Sequence, residues 1–307
     1  MDGRAGLCYV RPMPRIKLIL AYDGTDFAGW QLQPRDRTVQ GEVEAAIAKI
    51  VGHRIAVQGA GRTDAGVHAL GQCAHFEVPE RFARIPWRVA LNGHMRPDVR
   101  VVEATLAHPR FHATRDALSK IYAYTLWIDR THVDPFRRRF VWDVPPLDFA
   151  AMDAAALHFL GTHDFKSFKN AGTPLGPRGT VRTIIALWRE PGQTPAETVW
   201  RFRGDGFLKQ MVRNMMGCLV AVGKGKVMPD DVRSILERRD RNHFLPTAPP
   251  WGLCMERVFY PEPGPGGGPE DDASRGQDTA HDEHQMAGRG DREPVGHDDG
   301  PGREPAD

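Results

Sequence analysis

Gly59-Ala60-Gly61-Arg62-Thr63-Asp64-Ala65-Gly66-Val67-His68-Ala69 is the stretch on which the fold turns. Its glycines invite comparison with the dinucleotide fingerprint G-x-G-x-x-G, which would make the chain a doubly wound α/β protein. The comparison fails twice. Asp64 stands where the third glycine belongs, and the residues from Val67 onward read as a strand, so no helix N-terminus awaits a pyrophosphate. What remains is a glycine-bounded turn between two strands, with an acid two residues after an arginine.

Working outward from that turn, one order of elements occurs twice. Arg15–Tyr22 alternates as a strand, with Ile16, Leu18, Leu20 and Tyr22 on one face. Thr38 can cap a helix whose Val39, Val43, Ala46, Ile47 and Ile50 share a face. Strands are expected at Ile55–Ala60 and Val67–Val78, a helix at Pro86–Asn92 and a strand at Val99–Leu106. This is β-α-β-β-α-β. In the second half, strands are expected at Leu118–Ile128, Val181–Glu190, Thr198–Arg203 and Trp251–Tyr260. Helices are expected at Asp148–Leu160, Gly206–Val222 and Pro229–Arg239. The predicted class is α+β: two tandem split β-α-β halves of the ferredoxin or RRM-like kind, each an antiparallel sheet with helices on one face.

The domain division follows: an N-terminal extension over residues 1–13, an N-terminal α/β domain over 14–112, a C-terminal α/β domain over 113–260 and a tail over 261–307. The chain has 307 residues and a net charge of +2, but the tail holds four arginines against thirteen acids. That leaves 37 basic and 26 acidic residues in the body, a charge of +11 suited to a polyanion. Seventeen of the tail's 47 residues are glycine or proline, and it has no aromatic residue, leucine or isoleucine, so disorder is expected. No apolar run approaches a membrane span, and no secretion signal is evident. The four cysteines form no C-x-x-C pair, which fits a reducing cytoplasm and disfavours a zinc or disulfide framework. No metal-ligand histidine spacing occurs, and His108 and His112 are separated by Pro109.

Three features carry chemistry. Asp64 lies on the glycine turn, where an acid is commonly no more than an Asx-turn former. Arg213 lies on the predicted Gly206–Val222 helix, in a polar stripe with Lys209, Gln210, Asn214 and Gly217. A solvated face would look alike, but Gly217 weakens a helix unless something approaches it closely. A carboxylate beneath a nucleobase needs a cation to stay ionised, and arginine keeps its proton and can bind bidentately. Tyr122 and Tyr124 alternate along one strand, either as packing residues or as a stacking platform for a base. Phe136-Arg137-Arg138-Arg139-Phe140 and Lys166-Ser167-Phe168-Lys169 interleave cations with aromatics, as RNA surfaces and anchored loops both do. Asp23-Gly24-Thr25 is phosphatase-like, but Ala21 stands where the nucleophilic acid would be.

With these residues in view, the chain resembles the tRNA pseudouridine synthase A family. Matching segments are Tyr22-Asp23-Gly24-Thr25, Gly29-Trp30-Gln31, Thr38-Val39-Gln40-Gly41, Gly61 to Ala69, Phe111-His112-Ala113, Lys120-x-Tyr122-x-Tyr124, His163-Asp164-Phe165, Phe207-Leu208-x-x-Met211-Val212-Arg213 and Ala248-Pro249-Pro250-x-Gly252-Leu253. They run in order through residues 14–260. The resemblance implies the pseudouridine synthase fold with an RNA-binding cleft, and a cytoplasmic homodimer acting on uridines 38, 39 and 40 of the tRNA anticodon stem-loop without cofactor or metal. It implies Asp64 as nucleophile, Arg213 as its ionic partner, Tyr122 stacked on the uracil and Arg62 beside the substrate. Cys254 and Met255 replace bulkier apolar residues. The residues leave open whether the carboxylate attacks C1′ or C6 or takes a sugar proton. A non-catalytic tRNA-binding chaperone would use the same basic surface, and a phosphohydrolase built on Asp23 would require magnesium.

Overall fold

Alternation does what it promises in the first strand, β1 (Arg15–Tyr22): Ile16, Leu18, Leu20 and Tyr22 are buried, while the intervening residues are half-exposed. The computed structural model describes residues 13–170, 178–240 and 245–262. The N-terminal extension up to Pro12 and, from Pro263, the tail expected to be disordered lie outside the described residues.

After β1 the first half continues with α1 (Val39–Val51), β2 (Gln58–Gly59), β3 (His68–Glu77), α2 (Trp87–His94) and β4 (Val99–Ala107). Thr38 caps α1 by accepting from the Gly41 N–H, and Gly52 ends it in the left-handed conformation at φ 87°. The second half holds β5 (Ser119–Trp127), β6 (Trp142–Asp143), α3 (Phe149–Leu157), β7 (Gly161–Asp164), β8 (Val181–Pro191), β9 (Glu197–Gly204), α4 (Met211–Gly223), α5 (Asp231–Arg238) and β10 (Leu253–Phe259). The α+β class and the doubled order are present. Two short strands, β6 and β7, escape the periodicity because two and four residues are too few to show it.

The strands do not form the two separate antiparallel sheets expected from element order. They form one sheet in the order β4-β1-β3-β10-β5-β9-β8-β7, with β2 on β3 and β6 on β5. The joint is β10. It runs parallel to β3, with Cys254 opposite His68 and Met255 opposite Ala69, and antiparallel to β5, with Met255 opposite Tyr122. The last strand of the second half therefore completes the sheet of the first. Met255 is fully buried between them, so the two halves share one continuous core.

The joint also fixes the site. β2 and β3 flank the Gly59–Ala69 turn, β5 carries Tyr122, and the segment entering β10 runs back past α4. Helix α4 begins at Met211, five residues later than its apolar pattern implied. Phe207 and Leu208 are instead irregular and Lys209–Gln210 form a turn closed by the Met211 N–H donating to the Leu208 carbonyl at 3.0 Å, with Gln210 at φ 61°. In α4, a Cβ on Gly217 would stand 1.9 Å from the Pro246 carbonyl oxygen. The close approach that this glycine permits is therefore by the protein's own Pro246–Ala248 backbone, which no periodicity could reveal.

Candidate active site

Beneath the Gly59–Ala69 turn lies a set of buried polar side chains. The amide of Gln72, on β3, donates to the Gly61 carbonyl at 2.7 Å, and the Lys120 ammonium, on β5, donates to the Ala60 carbonyl at 2.7 Å. Tyr22 and Thr63 share a buried hydroxyl–hydroxyl hydrogen bond of 2.9 Å. Three strands thus hold three successive parts of the turn. Burial, reinforced by Arg178 and Arg182, pulls the Lys120 ammonium down to about 8. Behind the turn, the Trp30 N–H donates to the Thr63 carbonyl at 3.1 Å. Gly29 makes that approach possible: at φ 95° its missing Cβ would lie 2.6 Å from the same oxygen.

The turn delivers Asp64 to a cavity of about 920 Å³, large enough for a nucleoside and its flanking backbone. Arg62, Thr63, Ala65, Tyr122, Phe207, Met211 and Arg213 share its wall. Arg213 Nη1 lies 3.2 Å from Asp64 Oδ2, with the two side chains 13% and 20% exposed. The acid is therefore both paired and within reach of a ligand. The guanidinium does not grip both carboxylate oxygens, as a bidentate pair would. Its Nε donates instead to the Ala248 carbonyl at 2.7 Å, while the Ala248 N–H donates to the Arg213 carbonyl at 3.1 Å. The fork joins the Asp64 turn to the segment leading into β10.

Tyr122 forms part of the same wall, is 7% exposed, and meets Phe207 edge to face at 5.2 Å between centroids. Burial pushes its phenol far above the ordinary range, so it is a neutral aromatic surface. Met255, one of the two departures noted in sequence, lies under Gly61, its Cε 3.1 Å from where a Cβ would be. Tyr124 points the same way along β5 but is fully buried, with its hydroxyl donating to the Pro249 carbonyl at 2.7 Å. It supports the Pro249–Pro250 turn and does not line the cavity. Arg62 is exposed at the rim, with no ion-pair partner among the described residues.

Other sequence signals resolve into structural parts. The polar stripe around Arg213 is broken, because Lys209 and Gln210 precede the helix and Asn214 is buried, donating to the Phe168 carbonyl at 2.7 Å. Phe168 is itself core, and Arg137 pairs with buried Glu197 at 2.6 Å. In the phosphatase-like turn, Asp23 accepts from the N–H and hydroxyl of Thr25 and sits 3.2 Å from His68 Nδ1. No cluster of three or more metal-ligating side chains occurs among the described residues, and no described helix is long and apolar enough to cross a membrane. Gln72 and Lys120 gave no sequence signal of a role in the site. Lys120 was visible only as the first residue of the Lys120-x-Tyr122-x-Tyr124 motif, and Gln72 only as an interior residue of a strand.

A family model described as tRNA pseudouridine synthase matches residues 18–113 and 155–261. A curated protein called tRNA pseudouridine synthase A from Maridesulfovibrio salexigens is 53% identical over 255 residues, spanning 83% of this chain and 93% of that one. Another of that name, from Solidesulfovibrio magneticus, is 53% identical over 262 residues, spanning 84% and 95%. A third, from the more distant Moorella thermoacetica, is 43% identical over 251 residues, spanning 81% and 100%. A solved Cbf5-Nop10-Gar1 complex overlaps 67% of this chain and 45% of its own at 15% identity, with a TM-score of 0.32, too slight a likeness to argue from.

Proposed function

The chain belongs to the tRNA pseudouridine synthase family, and on that premise we propose that Asp64 is its nucleophile and uridines 38, 39 and 40 of the anticodon stem-loop its targets. As a member of that family it is an isomerase that converts uridine in tRNA to pseudouridine. The reaction breaks the N1–C1′ bond, turns the detached uracil and joins C5 to C1′. C5 loses a proton and N1 gains one, so nothing is oxidised, reduced or consumed. A single carboxylate facing the nucleoside suffices to open the sequence, whether at C1′, at C6 or at a sugar proton.

The observation that carries this reading is the 3.2 Å contact between Asp64 and Arg213 inside an open cavity. The arginine keeps the acid charged as an incoming base displaces water, because it does not give up its own proton. Extruding the uridine from the helix costs a few kcal/mol, and the Tyr122 ring recovers part of this by stacking. Arg62, at the rim, meets the phosphate or ribose of the extruded nucleotide. Closure of the cavity over the base holds the cleaved uracil while it turns.

The enzyme works as a homodimer in the cytoplasm. The free cysteines Cys73, Cys218 and Cys254 support the compartment, and the family resemblance supports the dimer. The target positions are tested with tRNA transcripts carrying uridine at only position 38, 39 or 40, scored for pseudouridine. Product is expected from all three and none from a transcript lacking all of them. Modification only at another site would overturn the assignment.

A further inference from the structure

A second cavity, of about 630 Å³, is lined by the segment leading into β2 and by the end of β3, and shares no lining residue with the cavity at Asp64. Arg15, Arg54 and Arg115 line it together with His53, His75 and His112. Its one acid, Glu77, is already paired with Arg15. Arg54 reaches buried Glu44 at 2.7 Å, while Arg115 is exposed and has no carboxylate partner among the described residues.

The imidazoles decide what such a cavity can hold. The Ala113 N–H donates to His75 Nδ1 at 3.2 Å. The N–H groups of Thr114 and Arg115 both donate to His112 Nδ1, at 3.2 and 3.3 Å. Each Nδ1 is therefore an acceptor, and each neutral ring carries its proton on Nε2. Burial and neighbouring guanidinium groups hold both rings in that neutral form, His75 at about 4. Arg15 donates to the Phe111 carbonyl and to Glu77, and its buried Nε has no partner. The walls thus offer guanidinium and imidazole N–H groups, and their one carboxylate is already paired. The complementary ligand is an anion built only of acceptors.

The position of the cavity narrows the choice. Gln58, in its wall, pairs with His75 in the β2–β3 ladder, and Thr114 donates to the Gly59 carbonyl at 2.8 Å. Gln58 and Asp64 are six positions apart, so the two lie within about 22 Å even on a fully extended path. We propose that this cavity is an accessory site for a backbone phosphodiester of the tRNA, a few nucleotides from the uridine held at Asp64. The proposal rests on tRNA being the substrate, and it assigns Arg115, His112 and Arg54 a task separate from the chemistry: fixing the strand's register so that one uridine reaches the nucleophile turn.

The test uses Arg115, whose exposed side chain supports no described contact. Arg115→Gln, Arg115→Glu and Arg115→Lys are compared with the intact enzyme by tRNA binding at 50 and 200 mM salt and by steady-state kinetics. Losing one phosphate contact lowers the slope of log K against log salt by about 0.7–0.9. Arg115→Gln should therefore raise Kd and KM severalfold at 50 mM salt, with its disadvantage shrinking about threefold by 200 mM. kcat at saturating tRNA should be unchanged. Arg115→Glu should be worse and Arg115→Lys close to intact. Inorganic phosphate should compete with tRNA only at millimolar concentration, and less effectively in Arg115→Gln. Unchanged Kd and slope in both Arg115→Gln and Arg115→Glu would overturn the proposal, as would a fall in kcat with KM intact. Neither result would touch the assignment of Asp64, which stands or falls on its own variant.

Discussion

Replacing Arg213 with lysine separates the two jobs that its guanidinium performs. Nη1 meets Asp64 at 3.2 Å, and Nε meets the Ala248 carbonyl at 2.7 Å. A lysine ammonium is a single point and cannot hold both at those distances. A hydrogen bond to a charged partner contributes about 1.5–3 kcal/mol. Solvent reaches a fifth of the Asp64 side chain, which screens the interaction and favours the lower half of that range. At about 1.36 kcal/mol per decade, Arg213→Lys should lower kcat/KM about 10- to 45-fold. Arg213→Met removes the charge as well and should cost about 100-fold or more. Single-turnover tritium release from [5-³H]uridine-labelled tRNA reads the chemical step, and filter binding reads tRNA affinity. Kd should stay within about twofold of the intact enzyme, because a cavity-wall arginine paired with a carboxylate adds little attraction for phosphate. Arg213→Lys with an unchanged single-turnover rate, or with its whole loss in Kd, would refute the reasoning.

Two further variants probe the wall and the floor. The Tyr122 hydroxyl has no hydrogen-bond partner among the described residues, so the side chain's contribution is the ring; Tyr122→Phe should keep most of the single-turnover rate, whereas Tyr122→Leu should lose about 5- to 150-fold, the worth of one stacked base. Equal losses in the two would show that the hydroxyl, not the face, matters. Lys120→Met strips the Ala60 carbonyl of its donor, leaving a buried acceptor that costs about 1–3 kcal/mol. Melting temperature and kcat should both fall while tRNA affinity holds, and Lys120→Arg should restore part of each. A variant with unchanged melting temperature and kcat would remove Lys120 from the support of the turn.

Much of the fold could be read from local pattern. β1 and α1 are long, periodic segments with one face in the core, and β5 and β9 are apolar runs buried along most of their length. The failures have physical causes. The single sheet depends on β10 pairing with β3, a contact between residues nearly two hundred positions apart that leaves no mark in either strand's own periodicity. The start of α4 was misplaced because Phe207 and Leu208 continue its apolar pattern, although Gln210 takes a left-handed conformation that ends the preceding turn.

The site divides in the same way. Asp64 was conspicuous because glycines bracket it, and Tyr122 because it alternates with Tyr124 from Lys120 onward. The helical stripe and the glycine within it point to Arg213. The stripe proved discontinuous, and the glycine accommodates Pro246, yet the side chain does reach Asp64. Its meeting with the acid is a tertiary fact. Gln72 and Lys120 sit inside strands as ordinary residues, and only the paths of the Ala60 and Gly61 carbonyls reveal what they hold. The donor-rich second cavity was equally hidden, since its histidines come from three separate segments, and the direction of backbone N–H groups sets the tautomers of His75 and His112.

The central claim, that Asp64 is the nucleophile, is tested most directly by Asp64→Asn, which keeps the size of the side chain and replaces the carboxylate by a neutral amide. Labelled tRNA is mixed with excess protein and followed to completion for tritium release and for pseudouridine in the digested product. The account predicts tRNA binding within about twofold of the intact enzyme and no pseudouridine above background. Formation of pseudouridine at a rate approaching that of the intact enzyme would contradict it.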